Sequence, residues 1–393
     1  VSELRVGGPE DDDERTRAAS QFCLFYRDYV EGLLERIRLG RRKFPRLLVR
    51  AILPVLLIWL PLLLIDAADS GARAVPLIKD FSFHVRFLFI VPLLILIGPA
   101  IDLQTRMVAL RFASNDMVPL EQKGRFVAAV WEANHLIHAW WVLLLAIAFT
   151  FAAVAQPLIA GSELHGLDEG LAAFRQLGLG GWWYLLGSAI PVFLYVRWTW
   201  RYIVWTWFLF RVSRLDLKLV PAHPDHAAGL GFVGIGHTMF AFVGMALSAS
   251  IAAAAATRIV EFGESVMSYK FVLAAVLVVL VGIGAIPLLV FVPDLAKARR
   301  IGLLRHSQFS TGFIKALDKK ADEQGAEAIE GNDIQSLADL GGSFERIESM
   351  RMMPIDPRGV KTFLLAIALP LVLLILTTVP TQQLVELLKK AMG

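Results

Sequence analysis

The chain has 393 residues, of which 56% are hydrophobic and only 19% charged, with a formal net charge of +4 and a mean hydropathy of +0.59. That balance excludes an ordinary soluble domain, and the small basic excess is met by membrane orientation and anionic lipid rather than by nucleic acid. A single cysteine, Cys23, excludes both a disulfide framework and a cysteine-based zinc site.

In chain order, residues 1–20 are polar and acidic with no apolar core and read as a disordered tail. Residues 21–48 set aromatics and leucines at helical spacing ahead of a basic cluster, the pattern of an amphipathic helix on a membrane surface. Seven apolar segments follow: Val49 to Ile65, Val85 to Ile101, Ala139 to Ala155, Trp182 to Tyr202, Phe232 to Ala256, Phe271 to Val292 and Thr362 to Val379. Each approaches the roughly 20 residues that a helix needs to cross a bilayer. The predicted fold class is all-α, a polytopic membrane helical bundle of about seven transmembrane helices occupying residues 49–379. With the N-terminus in the cytosol, all but eight of the 39 lysines and arginines fall on cytosolic segments, the bias expected of inner-membrane proteins. The same orientation puts the C-terminus in the periplasm, with residues 380–393 an amphipathic tail on the outer interface.

The longest polar connection, residues 294–361, predicts a small cytosolic helical lobe that offers a surface to a cytosolic protein partner. Within it, Asn332 or Asp333 caps one short helix, Gly341 and Gly342 end it, Ser343 caps a second and Pro354 stops that one.

Three stretches carry a resemblance. "FHVRFL" (Phe83 to Leu88), "HPDHAAGLGF" (His223 to Phe232) and "DIQSLADLGGSFE" (Asp333 to Glu345) resemble a family of uncharacterised bacterial multi-pass membrane proteins. The resemblance implies a bacterial inner-membrane protein forming one continuous domain, and it implies no reaction or ligand.

Four patterns are candidate sites. Gly229, Gly231, Gly234 and Gly236 match a dinucleotide fingerprint as text, but they lead into a membrane span rather than joining a strand to a helix, so helix packing is the expected role. Glu132, His135 and His138 form E-x-x-H-x-x-H, and His223, His226 and His237 lie at the same membrane depth; imidazole and carboxylate together suit a transition metal such as zinc. No cofactor is otherwise predicted, and no nucleophile motif or buried carboxylate pair points to catalysis.

The third pattern is "YVRWTWRYIVWTWFLFRVSR", in which Arg197, Arg201 and Arg211 fall within about an 80° arc on a helix. Trp198 and Trp205 flank that arc on one side and Trp200 and Trp207 on the other. The four tryptophans are expected as interfacial anchors, and Arg197, roughly 22 Å along its span, either reaches lipid phosphate or faces an aqueous path. The fourth pattern is the small-residue run Gly244 to Thr257, which must press against another helix or, in a homo-oligomer, line an ion pathway with Ser248 and Ser250. The expected function is a channel or facilitator for a small ion or solute; a membrane scaffold, sensor or assembly factor is the alternative, and a metal-dependent membrane enzyme the third.

Overall fold

A computed structural model of the chain describes residues 9–24, 49, 51–68, 77–114, 117–160 and 179–378. Every regular element among them is helical, because in hydrocarbon each backbone N–H and C=O has to be satisfied within its own segment. In chain order, α1 is Pro9–Ser20, α2 Ala51–Ala68, α3 Phe81–Ser114, α4 Lys123–Ile137 and α5 Trp140–Ala160. The helix α6 is Leu179–Ser213, α7 Gly231–Phe262, α8 Lys270–Leu289, α9 Val292–Gln324, α10 Gly331–Glu348 and α11 Pro357–Thr378.

Five of these are long and apolar enough to cross a membrane, and six if α4 and α5, bent by 42° between them, count as one span. The sequence prediction of seven included Trp182 to Tyr202, which here lies inside the continuous 35-residue α6. The helix α6 stands outside that set. The share of each span buried within the protein separates the roles. It is 11% for α2 and 22% for the segments ending α8 and α11, whose apolar side chains face outward, but 50% for α7, which is the central helix.

Small side chains put α7 at the centre. Ala246, Ser248, Ala249, Ala252, Ala253 and Ala255 are buried along it, and a Cβ on Gly244 would stand 3.0 Å from the Ile367 side chain of α11. Gly236 meets Val108 of α3, and Gly234 meets the backbone of Pro354. Gly234 and Gly236, which follow the HPDHAAGLGF stretch, therefore serve close packing, as expected; within that stretch Gly231 lies against the Asp225 side chain and Gly229, with a φ of +94°, shapes a turn.

The N-terminal segment differs from the expected disordered tail. Residues 9–20 form α1, which packs on α3 and α4 with Ala18, Ala19 and Phe22 buried. Arg15, 1% exposed, donates to the Val118 carbonyl at 3.2 Å, and Lys123 pairs with Glu14 at 2.8 Å. The anchor is Asp102, buried in α3. Its carboxylate accepts from the Leu24 amide at 2.7 Å and from the Cys23 thiol at 3.4 Å, and Arg106 binds it at 3.0 Å. Asn134 of α4 accepts from the Cys23 amide and donates to the Gln21 carbonyl. Average polarity over residues 1–20 hid the short apolar patch that makes this docking favourable. Most of the amphipathic segment 21–48 and the whole tail 380–393 lie outside the described residues.

The polar lobe also differs in detail. Its main element is α9, 33 residues long, paired with α10 as a hairpin. A single helix runs through Gly341 and Gly342, and its cap is Glu330, with Asp333 closing a capping box. Two glycines cost about 2 kcal/mol of helix propensity together, comparable to the gain of about 1.5–3 kcal/mol from burying one side chain such as Ile347, which packs beside Gly302.

Contacts divide the connections between two ends. Residues 9–24, the α3–α4 turn, 213–231 and 349–357 touch one another, through Lys218 N to Met117 O at 2.8 Å and Arg351 N to His226 O at 2.7 Å. At the opposite end Asp80 caps α3 at Ser82 and accepts from Thr257 of α7 at 3.0 Å.

Two outcomes test this packing. Gly234→Ala drives a methyl into the Pro354 backbone and is expected to cost about 1–3 kcal/mol, whereas Gly312→Ala, in open space on α9, is expected to be neutral or stabilising by up to about 1 kcal/mol; thermal unfolding in detergent measures both. Asp102→Ala removes the anchor of α1 and is expected to raise the rate of proteolytic cleavage within residues 9–24 by about tenfold or more, as for a broken buried charge pair. Unchanged cleavage would rule out that anchoring role.

Candidate functional site

Three hydrogen bonds from α6 fix its rotation about its own axis. The Trp198 indole donates to the Leu94 carbonyl and the Trp200 indole to the Leu136 carbonyl, each at 3.1 Å. The Tyr195 hydroxyl donates to the Ala246 carbonyl at 2.8 Å and lies 2.7 Å from Ser250 Oγ. With these ties made, Arg197 and Arg201, one turn apart, face a cavity of about 520 Å³ between α5 and α6.

The walls of that cavity are apolar: Ala146 and Phe149 from α5, Val192 and Val196 from α6. The guanidinium of Arg197 sits 5.5 Å above the Phe193 ring and that of Arg201 5.3 Å above the Trp198 ring, so each cation is supported by an aromatic face. Arg201 is only 4% exposed. On the outer side of α5, Leu144, Leu145 and Phe149 are exposed, so the cavity borders the surface that faces lipid.

The other residues of the arginine pattern take different places. Arg211 donates twice to the Glu132 carboxylate of α4, at 3.1 and 3.3 Å, and stacks over Trp207. Trp198 and Trp205 are 2% and 0% exposed, which corrects their expected place at the lipid interface. Their side of the arginine arc turns into the bundle, where Trp205 stacks with Phe208 and Phe240. Trp200 and Trp207 are half-buried. Ser248 is fully buried and donates to the Met245 carbonyl of its own helix, while Ser250 joins Tyr195; both belong to helix packing within one chain.

The six expected metal ligands are dispersed, and no group of three or more His, Cys, Asp or Glu among the described residues is placed to hold a metal ion. Glu132 is taken by Arg211, His135 is exposed, and His138 contacts the Asn134 carbonyl at 2.6 Å through Nδ1. His226 meets Ser349 Oγ at 3.0 Å. His237 donates from Nε2 to the Gly284 carbonyl at 2.7 Å inside a ring of Tyr202, Phe240 and Phe363, and its Nδ1 has no partner among the described residues.

The HPDH loop instead turns on Asp225. Its Oδ1 accepts from the amides of Ala227 at 2.8 Å and Gly229 at 3.1 Å, its Oδ2 from that of Gly231 at 2.8 Å, and His223 Nδ1 lies 2.9 Å away. Arg351 clamps the loop from the other side, donating to the Asp225 carbonyl and to the Ile355 carbonyl. These bonds hold His226 and Ala228 at positive φ, 52° and 53°, a conformation that side chains resist. Burial raises the Asp225 carboxyl, but the amides of Ala227, Gly231 and Gly229 and the His223 ring outweigh it and hold the group below its ordinary value. The signal in the sequence was an aspartate followed within six residues by two glycines, whose amides are free to converge on it. Asp102 and Arg351 were missed because nothing local marks a buried partner more than 70 residues away in the chain.

No protein family, curated protein or solved structure matches the chain.

Replacing Asp225 by Asn keeps one acceptor and loses the charge, with an expected cost of about 1–3 kcal/mol at pH 7. Because the folded carboxyl titrates below the ordinary value of 3.8, its contribution is complete above that value and is lost as pH falls through the depressed one. Unfolding curves of wild type and Asp225→Asn are expected to keep a constant separation from pH 7 to about 5 and to converge only in stronger acid. A separation that closes between pH 7 and 6 would assign the effect to the histidines instead.

Proposed function

We propose that this chain is an integral membrane facilitator for a small amphipathic anion, admitted between α5 and α6 and held by Arg197 and Arg201. The observation that carries the proposal is the pairing of two guanidiniums, four residues apart on one helix face, with an otherwise apolar cavity. Ionisable groups at such depth are costly and are kept where they meet a charge or a solute. An anion beside two guanidiniums on neighbouring turns would be attracted by both. The apolar walls then take the remainder of the solute, and about 520 Å³ lies within the usual range for small ligands.

The grouping of connections at two ends supports the orientation. Successive connections alternate between the ends only if α6 also crosses the membrane, which makes seven crossings in all. The segments richest in lysine and arginine share one end, which we assign to the cytosol of a bacterial inner membrane by the charge bias. The cavity lies at the edge of a single bundle rather than on its axis, so a neighbouring copy closes its outer side in the working homo-oligomer.

A second reading, a scaffold acting through the α9–α10 hairpin, is favoured by Leu304, Phe309 and Ile334, which are 58%, 64% and 62% exposed there.

Flux of a carboxylate-bearing amphiphile in proteoliposomes tests the first reading. Arg197→Gln with Arg201→Gln is expected to reduce flux by about tenfold or more, the usual weight of hydrogen bonds to charge, and Leu145→Trp, which fills the cavity without touching charge, is expected to reduce it as well. Flux unaltered by both changes would reject the facilitator, and altered lipid dependence with unaltered flux would leave the arginines as anchors.

A further inference from the structure

Where α6 ends at Ser213 the chain continues without regular secondary structure to Pro221 and runs alongside α9, leaving a cleft of about 730 Å³ between them. Gly302 makes the near approach possible: a Cβ there would stand 2.6 Å from the Pro221 ring. This connecting segment is tied in place by Lys218 N to Met117 O and by Gln122, which accepts from the Asp216 amide at 3.1 Å and donates to its carboxylate at 2.6 Å.

Its charge is unbalanced. Arg214, Lys218, Lys297 and Arg305 line it against two carboxylates, Asp216 and Asp294. None of the four cations makes an ion pair among the described residues. Asp216 is engaged by Gln122. Asp294 is held above its ordinary value, chiefly by burial, with Arg214 and Lys297 opposing and Asp216 adding to the rise. The His306 ring is committed elsewhere, to the Leu340 carbonyl at 2.9 Å. Two positive charges are therefore uncompensated in a cleft wide enough for a headgroup. Its position is equally specific: α9 starts three residues after the apolar span that ends at Leu289, so the cleft opens at the membrane boundary.

We propose that this cleft is a second binding site, distinct from the cavity between α5 and α6, and that it takes a phosphate monoester. Such a group carries close to two negative charges at neutral pH, matching the excess, and guanidinium and ammonium donors from two walls reach its oxygens from opposite sides. The same chemistry is offered by an anionic lipid headgroup and by a soluble phosphate ester. Placement at the membrane boundary favours the lipid.

The experiment uses the full chain in detergent, with phosphatidic acid, phosphatidylcholine and free glycerol 3-phosphate as probes, lipid retention read by native mass spectrometry and the soluble ester by calorimetry. Lys297→Gln with Arg305→Gln removes two cations from exposed positions on α9, and Arg300→Gln with Lys315→Gln removes the same charge from the same helix away from the cleft. Selective retention of phosphatidic acid, weakened about tenfold or more by the first pair and unaltered by the second, is the expected result. Binding of glycerol 3-phosphate that the first pair abolishes, without selective lipid retention, keeps the site and reassigns its ligand to the soluble ester. Equal behaviour of wild type and the first pair toward every probe, or equal loss in both pairs, overturns the proposal.

Discussion

The closeness that α7 permits its neighbours is the constraint on which the other helices depend. Its alanines, Ser248 and three glycines leave almost no side-chain layer between it and α3 or α11, so those helices sit against its backbone. Lipid gives no hydrophobic drive for helices to associate, so such van der Waals contact and interhelical hydrogen bonds carry the association. The bonds are present on every side of α7. Tyr195 of α6 reaches the Ala246 carbonyl, His237 reaches Gly284 of α8, and Thr257 reaches Asp80 at the head of α3. A larger side chain on the inner face of α7 would move α6, and with it Arg197 and Arg201.

The membrane class and the span locations were legible because they rest on composition and run length, which need no partner. Five of the seven predicted segments coincide with helices apolar enough to cross, and Ala139 to Ala155 is the second arm of the bent pair. The small-residue run Gly244 to Thr257 was legible as close packing or an ion pathway, and its Gly244 packs against Ile367 of α11. The arginine arc with tryptophans on both flanks was found as a pattern, but which flank faces inward depends on what α6 meets. Trp198 faces the Leu94 carbonyl and Trp200 the Leu136 carbonyl, contacts separated by 104 and 64 residues in the chain. Amphipathic spacing cannot supply that distinction. Histidine spacing misled for a related reason. Ligand geometry requires side chains to converge in space, and the turn at Asp225 directs His223 and His226 to separate partners.

The polar groups of this protein are spent mainly on joining segments that the sequence keeps apart. Asp102 ties residues 22–24 to α3 and, through Arg106, to the Phe22 carbonyl; Asp225 folds its own loop and presents its carbonyl to Arg351; Gln122 holds Asp216 by both backbone and side chain. Each is a buried or half-buried group satisfied by two or more hydrogen bonds, the condition under which a polar group in a protein interior is tolerated. All three lie at the end of the bundle that also carries the hairpin, so that end is cross-tied where the sequence suggested loops and a tail. The opposite end relies on fewer such ties, Asp80 with Ser82 and Thr257 being the clearest.

Cross-tying at that end bears on the two candidate binding regions, because α6 belongs to both. Arg197 and Arg201 line the cavity, and twelve residues beyond Arg201 the same helix delivers Ser213 and Arg214 to the cleft beside α9. At about 1.5 Å per residue the two sets lie roughly 20 Å apart along one helix axis. A helix that moves as a unit carries both, but α6 is held along its length by Tyr195, Trp198 and Trp200, and at its end by the pairing of Arg211 with Glu132. Displacing it means breaking several of these bonds together, which favours two discrete positions over gradual drift. Of the two partners at the cavity, α5 is the less constrained. It leaves α4 at a 42° bend after His138, and its outer face is apolar and exposed. On the facilitator reading proposed above, a cavity that widens for a solute would do so by α5 pivoting at residues 138 and 139, with α6 keeping the arginines and the wall of the cleft in register.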